Sequence, residues 1–221
     1  MTRVLVLRPE PGASATVARA RERGLDAVAV PLFEIEPVAW DAPEAGGFDG
    51  LLLTSANAVR CAGDQIEKLR GLKAYAVGDA SAEAARDARF DIATTGDSGV
   101  DRLLASIEAD LKLLHLCGED RRQPEQARQS ITPLVVYRSR AIESPRLAID
   151  AGTVALIHSP RAGQRFAELA PDRGSVAIAA ISPAAAEAAG DGWKSMAVAD
   201  EPSDEALLAL AASLCNNSPP K

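Results

Sequence analysis

The sequence predicts an α/β fold of two parallel-sheet domains that share one internal pattern. Three observations carry that prediction. Short apolar runs of strand length alternate with longer helical segments along the chain. Segments of the first half return in the second at a constant offset of 104 residues, as from Ser55 to Ser159. Two polar, proline-bearing stretches, set at the same offset, interrupt the alternation at matching places.

The elements follow in order. Val4–Leu7 reads as a buried strand, Ala13–Arg23 as the next helix and Ala27–Val30 as a second strand. Phe48–Leu53 is a third strand, which turns at Thr54-Ser55 into a helix from about Ala56. Ala74–Val77 is a fourth, followed by a turn and the helix Ser81–Ala88. Leu111–Leu116, Pro133–Tyr137, Val154–Ile157 and Val176–Ala179 complete the strands, each with a turn or helix after it. Unbroken apolar strands alternating with helices indicate sheets covered on both faces. The polar stretches Glu34–Pro37 with Asp41–Pro43, and Arg138–Arg140 with Glu143–Pro145, read as paired linkers between domains. Asn216–Pro220 reads as a frayed tail.

The repeat is carried by unlike segments. Leu53–Ala58 matches Ile157–Ala162, Val77–Ala85 matches Ile181–Ala189, and Asp101–Ala105 matches Glu205–Ala209. Alanine-rich helices match cheaply, but one register across all of them indicates two copies of a unit. Two copies would set equivalent loops opposite each other across a cleft.

A chain of 221 residues is long enough for one large or two ordinary domains, either with a real core. A net charge of −7 argues against a general nucleic-acid or anionic-membrane surface. Cys61, Cys117 and Cys215 show neither disulfide nor metal-ligand spacing, which fits reduced thiols in the cytoplasm. Val4–Leu7 is too short for a signal or a membrane span. Lys and Arg total 24, and 19 of these are Arg, the side chain that grips carboxylates bidentately; a GC-rich genome would give the same excess.

In an open parallel sheet, ligands sit beyond the carboxyl ends of the strands, where helix N-termini offer free N–H groups. Thr54, Ser55 and Asn57 lie there, with His158, Ser159 and Arg161 as repeat mates. Gly78–Ser81 is another such loop, and Ser182–Ala185 its mate. Hydroxyls and amides at four such loops can grip an anionic ligand, or they can simply cap helices. There is no Gly-rich nucleotide motif and no paired-His metal motif, so a metal site is not expected. His115, inside an apolar run, reads as a core residue; His158, at a strand end, is open to a donor role. Tyr137 ends an apolar run and either packs its ring or presents its hydroxyl to a cleft.

Leu7-Arg8-Pro9, Thr54–Val59, Val77-Gly78 with Ser81-Ala82, Leu116-x-Gly118, Val136-Tyr137-Arg138 and Ser159-Pro160 occur in this order. As an ordered set spanning nearly the whole chain, they resemble the uroporphyrinogen-III synthase family. The resemblance implies two flavodoxin-like domains joined by a two-stranded linker: residues 1–36 with 141–221, and 37–140. It implies a cytoplasmic, monomeric, cofactor-free lyase of haem biosynthesis, which closes hydroxymethylbilane to uroporphyrinogen III with loss of water. Ring D is inverted through a spiro-pyrrolenine, and the substrate is handed over by hydroxymethylbilane synthase. Tyr137 would assist departure of the substrate hydroxyl. Arg8, Pro9, Thr54, Ser55, Asn57, Gly78, Ser81, Gly118, Arg138, His158, Ser159, Arg161 and Ser182 would bind the substrate.

The chain departs from the family pattern at three places. Ala184-Ala185 follow Ser182-Pro183 where Thr is frequent, His158 replaces Thr before Ser159, and Cys117 stands where Arg is common before the glycine. Two other readings stay open: a non-enzymatic two-domain small-molecule binder or sensor, and an inactive paralogue.

Overall fold

The computed structural model describes residues 2–96, 99–121 and 123–216. Its strands are β1 (Arg3–Val6), β2 (Asp26–Ala29), β3 (Phe33–Pro37), β4 (Gly50–Leu53), β5 (Lys73–Val77), β6 (Ile92–Gly96), β7 (Lys112–Gly118), β8 (Ser130–Ala141), β9 (Val154–Ile157), β10 (Ala177–Ala180) and β11 (Ser195–Val198). Its α-helices are α1 (Gly12–Glu22), α2 (Ala56–Arg60), α3 (Asp79–Asp87), α4 (Val100–Ala105), α5 (Pro160–Leu169), α6 (Pro183–Ala189) and α7 (Asp204–Asn216). Among the described residues no helix is long and apolar enough to cross a membrane.

The chain divides into two compact units, Met1–Glu34 with Ala141–Lys221, and Ile35–Arg140. The first holds a parallel sheet in the order β2-β1-β9-β10-β11. This is the flavodoxin-like order 2-1-3-4-5, whose switch point lies between β1 and β9. The second unit is ordered β3-β8-β7-β4-β5-β6. Counted from β7 as the first strand, its five parallel strands repeat the same order.

The repeat and the units are out of phase. A shift of 104 residues carries the first residues of β4, α2, β5, α3 and α4 onto those of β9, α5, β10, α6 and α7. Such agreement is what two copies of one unit would give. Each compact unit, however, takes its first two strands from one half of the chain and its last three from the other. That exchange explains why one unit is assembled from both chain ends.

Burial follows the pleat, in which side chains alternate between faces. In the first unit Leu5, Leu7, Ala155, Ile157 and Ile178 join the core on one face, and Val4, Val6, Val154, Leu156 and Ala179 join the core on the other. In the second, Leu51, Leu53, Leu114 and Leu116 oppose Leu52 and Leu113 in the same manner. Covering helices pack closely where a side chain is missing: a Cβ at Gly163 would stand 2.7 Å from the Ala185 carbonyl, so α5 and α6 meet backbone to backbone.

The structure differs from the sequence reading mainly at polar strands. Glu34–Pro37 and Arg138–Arg140, read as linkers, are strand residues of β3 and β8, and the chain does pass between the units there, at Glu34/Ile35 and Arg140/Ala141. The run Phe48–Leu53 becomes a strand only at Gly50, after a 3-10 turn at Ala45–Gly47. α3 begins two residues early, because Gly78 takes φ 78° and turns the chain there. β6 and β11 were not foreseen: they are sheet edges of mixed exposure and lack an unbroken apolar run. Asn216 ends α7 rather than starting a tail, and the rest of that tail lies outside the described residues.

Candidate functional site

In the second unit the carboxyl ends of β4, β5, β7 and β8 surround a pocket of about 300 Å³. It is lined by Thr54, Ser55, Val77, Val100, Gly118, Asp120, Arg121 and Tyr137. Ser55 is the N-cap of α2, accepting from the Asn57 N–H at 3.2 Å. Its hydroxyl also acts on the Tyr137 phenol, favouring the phenolate. Thr54, one residue earlier, meets the His115 Nε2 at 3.0 Å.

Gly118 and Tyr137 form a matched pair. They sit opposite each other where the β7–β8 register shifts. A Cβ at Gly118 would lie 2.7 Å from the Tyr137 Cζ and 3.0 Å from its hydroxyl. The glycine therefore lets the ring lie flat against the strand end and places the phenol at the pocket wall. Burial raises the Tyr137 pKa, Ser55 opposes that by stabilising the phenolate, and Asp120 reinforces it. The group is a neutral phenol near pH 7, able to donate a hydrogen bond.

His115 is 2% exposed, as its apolar setting indicated, but it is not a passive core residue because Thr54 is its partner. Burial, then the nearby Arg121 charge, lowers its pKa to about 4, so it is neutral under ordinary conditions. Burial also raises the Cys117 thiol, whose Sγ donates to the Leu134 carbonyl.

The corresponding place in the first unit is filled by the protein itself. Asp204, the first residue of α7, receives Thr16 Oγ1 at 2.8 Å, Arg19 Nη2 at 2.7 Å and Nε at 2.9 Å, and meets His158 Nε2 at 2.9 Å. Arg8 reaches it at 3.5 Å. Burial alone would raise the Asp204 pKa; the bonds from His158, Arg19 and Thr16 outweigh it and hold the carboxyl well below the usual range. Burial pushes His158 down, with Asp204 opposing. By the 104-residue shift, Asp204 and His158 correspond to Val100 and Thr54, which line the open pocket of the second unit.

Of the residues nominated from sequence, the structure brings Thr54, Ser55, Gly118 and Tyr137 together. Asn57, Gly78 and Ser81 are not in the pocket wall; Ser81 lies within α3 and is 4% exposed. Arg138 is ion-paired with Glu36 at 2.9 Å. Ser159 and Ser182 cap α5 and α6, accepting from Ala162 and Ala185 N–H groups. Arg8 and His158 are engaged by Asp204, Pro9 accepts from the Ala13 N–H through its carbonyl, and the Arg161 guanidinium lies 4.4 Å over the Phe33 ring. Sequence reasoning missed Arg121, Asp120 and Asp204. For Asp204 a signal existed: Ser203-Asp204-Glu205 is a helix-start pattern, and Ser203 does cap α7. Among the described residues, no group of three metal-ligating side chains assembles.

The sequence profile described as uroporphyrinogen-III synthase HemD matches residues 14–209. The chain belongs to the uroporphyrinogen-III synthase family. A uroporphyrinogen-III synthase of Chlorobaculum parvum is 36% identical over 87 residues, a stretch covering 35% of each chain. The match thus spans about a third of that relative's length. The uroporphyrinogen-III synthetase structure of Helicobacter pylori aligns with a TM-score of 0.68 at 18% identity, over 97% of this chain and 100% of that one. A mutant uroporphyrinogen III synthase of Thermus thermophilus aligns at 0.54 and 17% identity, over 98% and 100%. At such identities these structures speak for the fold: a two-domain α/β architecture shared with members of the uroporphyrinogen-III synthase family.

Proposed function

We propose that this protein closes hydroxymethylbilane to uroporphyrinogen III, with the chemistry at the Tyr137 pocket of the second unit. The observation that carries the proposal is the Tyr137 phenol. It is held protonated by partial burial and seated against Gly118 in a pocket that Ser55 also lines.

Loss of the terminal substrate hydroxyl is the step this group can serve. A neutral phenol donates to the departing oxygen, which leaves as water once protonated, and the remaining carbon skeleton becomes an azafulvene. The substituted carbon of ring D attacks it to give a spiro-pyrrolenine. Fragmentation and closure through the other carbon invert ring D. Closure releases the proton of that ring carbon, which restores the Tyr137 phenol, so the proton count balances. The protein's further part is to hold the chain where attack at the substituted carbon is favoured. Family membership supports the substrate assignment; on this reading the protein acts as a cytoplasmic monomer supplied by hydroxymethylbilane synthase.

Incubation with hydroxymethylbilane, followed by separation of the product isomers, tests the proposal. The expected product is isomer III in excess. Isomer I alone, at the spontaneous rate, would leave the protein a binder or an inactive paralogue.

A further inference from the structure

A second cavity of about 300 Å³ opens in the same unit, lined among others by His115, Arg121, Gln123 and Gln129. Arg121 lines both cavities. Thr54 belongs to the first and His115 to the second, and the two are hydrogen-bonded at 3.0 Å. The cavities therefore share a wall made of Thr54, His115 and Arg121.

The charges along that wall are unequal. His115 is neutral, and the amide nitrogen of Gln129 is already spent on the Leu104 and Glu108 carbonyls. Arg121 is the one full cation among the described lining residues. Among the described residues its guanidinium has no ion pair or hydrogen bond. It lines the same cavity as Thr54, Ser55 and the carboxylate Asp120, and a guanidinium on a cavity wall can fork onto a carboxylate from outside.

We infer that Arg121 anchors one carboxylate arm of the substrate at the wall between the two cavities, and so fixes which pyrrole ring lies beside Tyr137. The inference rests on the substrate proposed above. A bidentate fork fixes the arm in both position and direction, which a single point charge does not. With the arm held there, the Tyr137 cavity is left for a reacting ring and the second cavity for the neighbouring part of the chain. Arg121 is thus a specificity residue, and its contribution falls on binding and on register.

The test compares wild type, Arg121→Gln and Arg121→Lys in hydroxymethylbilane kinetics. A second readout is binding of uroporphyrin, a ring carrying the same carboxylate arms, followed by fluorescence. Loss of a hydrogen-bonded charge pair should raise KM for R121Q by about ten- to a hundredfold, with kcat changed only a few fold. Its product should contain more isomer I, and R121K should recover part of the KM. An unchanged KM overturns the inference, and so does a fall in kcat at constant KM, which would place Arg121 in the chemical step. If R121Q melts well below wild type, R121K against wild type decides by the same criteria. Should wild type form no isomer III, the functional proposal fails on its own. The porphyrin arm still judges Arg121: weaker binding by R121Q keeps the carboxylate site, and equal binding removes it.

Discussion

Replacing Gly118 by alanine probes the seat of Tyr137 without touching the phenol. Gly118 is not a positive-φ glycine, so alanine fits its backbone and the effect is one of space alone. The new Cβ would meet the tyrosine ring at 2.7, 2.9 and 3.0 Å. Ordinary carbon contacts lie near 3.5–4.0 Å, so the ring must retreat by about 1 Å. Overpacking of that size costs about 1–3 kcal/mol of stability. A displacement of about 1 Å at a reacting group costs up to about a hundredfold in turnover. The assay is kcat at saturating hydroxymethylbilane beside the thermal midpoint, for Gly118→Ala alone and combined with Tyr137→Phe. With the hydroxyl already gone, the alanine should cost little further turnover, while its packing penalty against the ring remains. Wild-type kcat in G118A, or losses that multiply in the double variant, would refute a positioning role for Gly118.

Other outcomes follow from the same contacts. Asp204→Ala should destabilise the protein by about 3 kcal/mol, since buried Thr16 and His158 lose their acceptor, and Asp204→Asn by less; urea unfolding reports both. The folded pKa of His115, about 4, lies below its unfolded value of about 6.5. Its contribution is therefore complete above pH 6.5 and declines as pH falls toward 4, by at most about 3 kcal/mol, and His115→Gln should flatten that slope. Ser159→Ala should lose about 1 kcal/mol of helix capping and leave turnover intact, whereas Ser55→Ala should lose a similar stability and turnover as well, because Ser55 also acts on the Tyr137 phenol. Midpoints and kcat measured together separate the two serines.

What was legible in the sequence was whatever burial writes as an unbroken pattern. Leu51–Leu53, Val154–Ile157 and their neighbours are apolar at every position because both faces of their sheets are covered. The polar strands β3 and β8 carry Glu36, Arg138 and Arg140; their place between the units was legible as linker, but their strand character was not, because it rests on pairing of Glu36 with both arginines rather than on an apolar run. The 104-residue repeat was visible, but its division between the units was not. Periodicity records which segments are alike, and only strand pairing decides which of them share a sheet. At the site, Thr54, Ser55 and Tyr137 announced themselves by standing where apolar runs end. Arg121 and Asp204 had no such marker. One has no partner among the described residues, and the other has partners more than forty residues away in sequence, as His158 does at 2.9 Å.

The most direct measurement is kcat of Tyr137→Phe with hydroxymethylbilane at saturation, read together with the isomers formed. If the half-buried, protonated phenol assists hydroxyl departure, turnover falls by up to about a hundredfold while the thermal midpoint stays near that of wild type. The product of the slowed reaction then drifts toward isomer I, as spontaneous closure competes. A variant that turns over at the wild-type rate and still yields isomer III would contradict the assignment of the chemistry to this pocket.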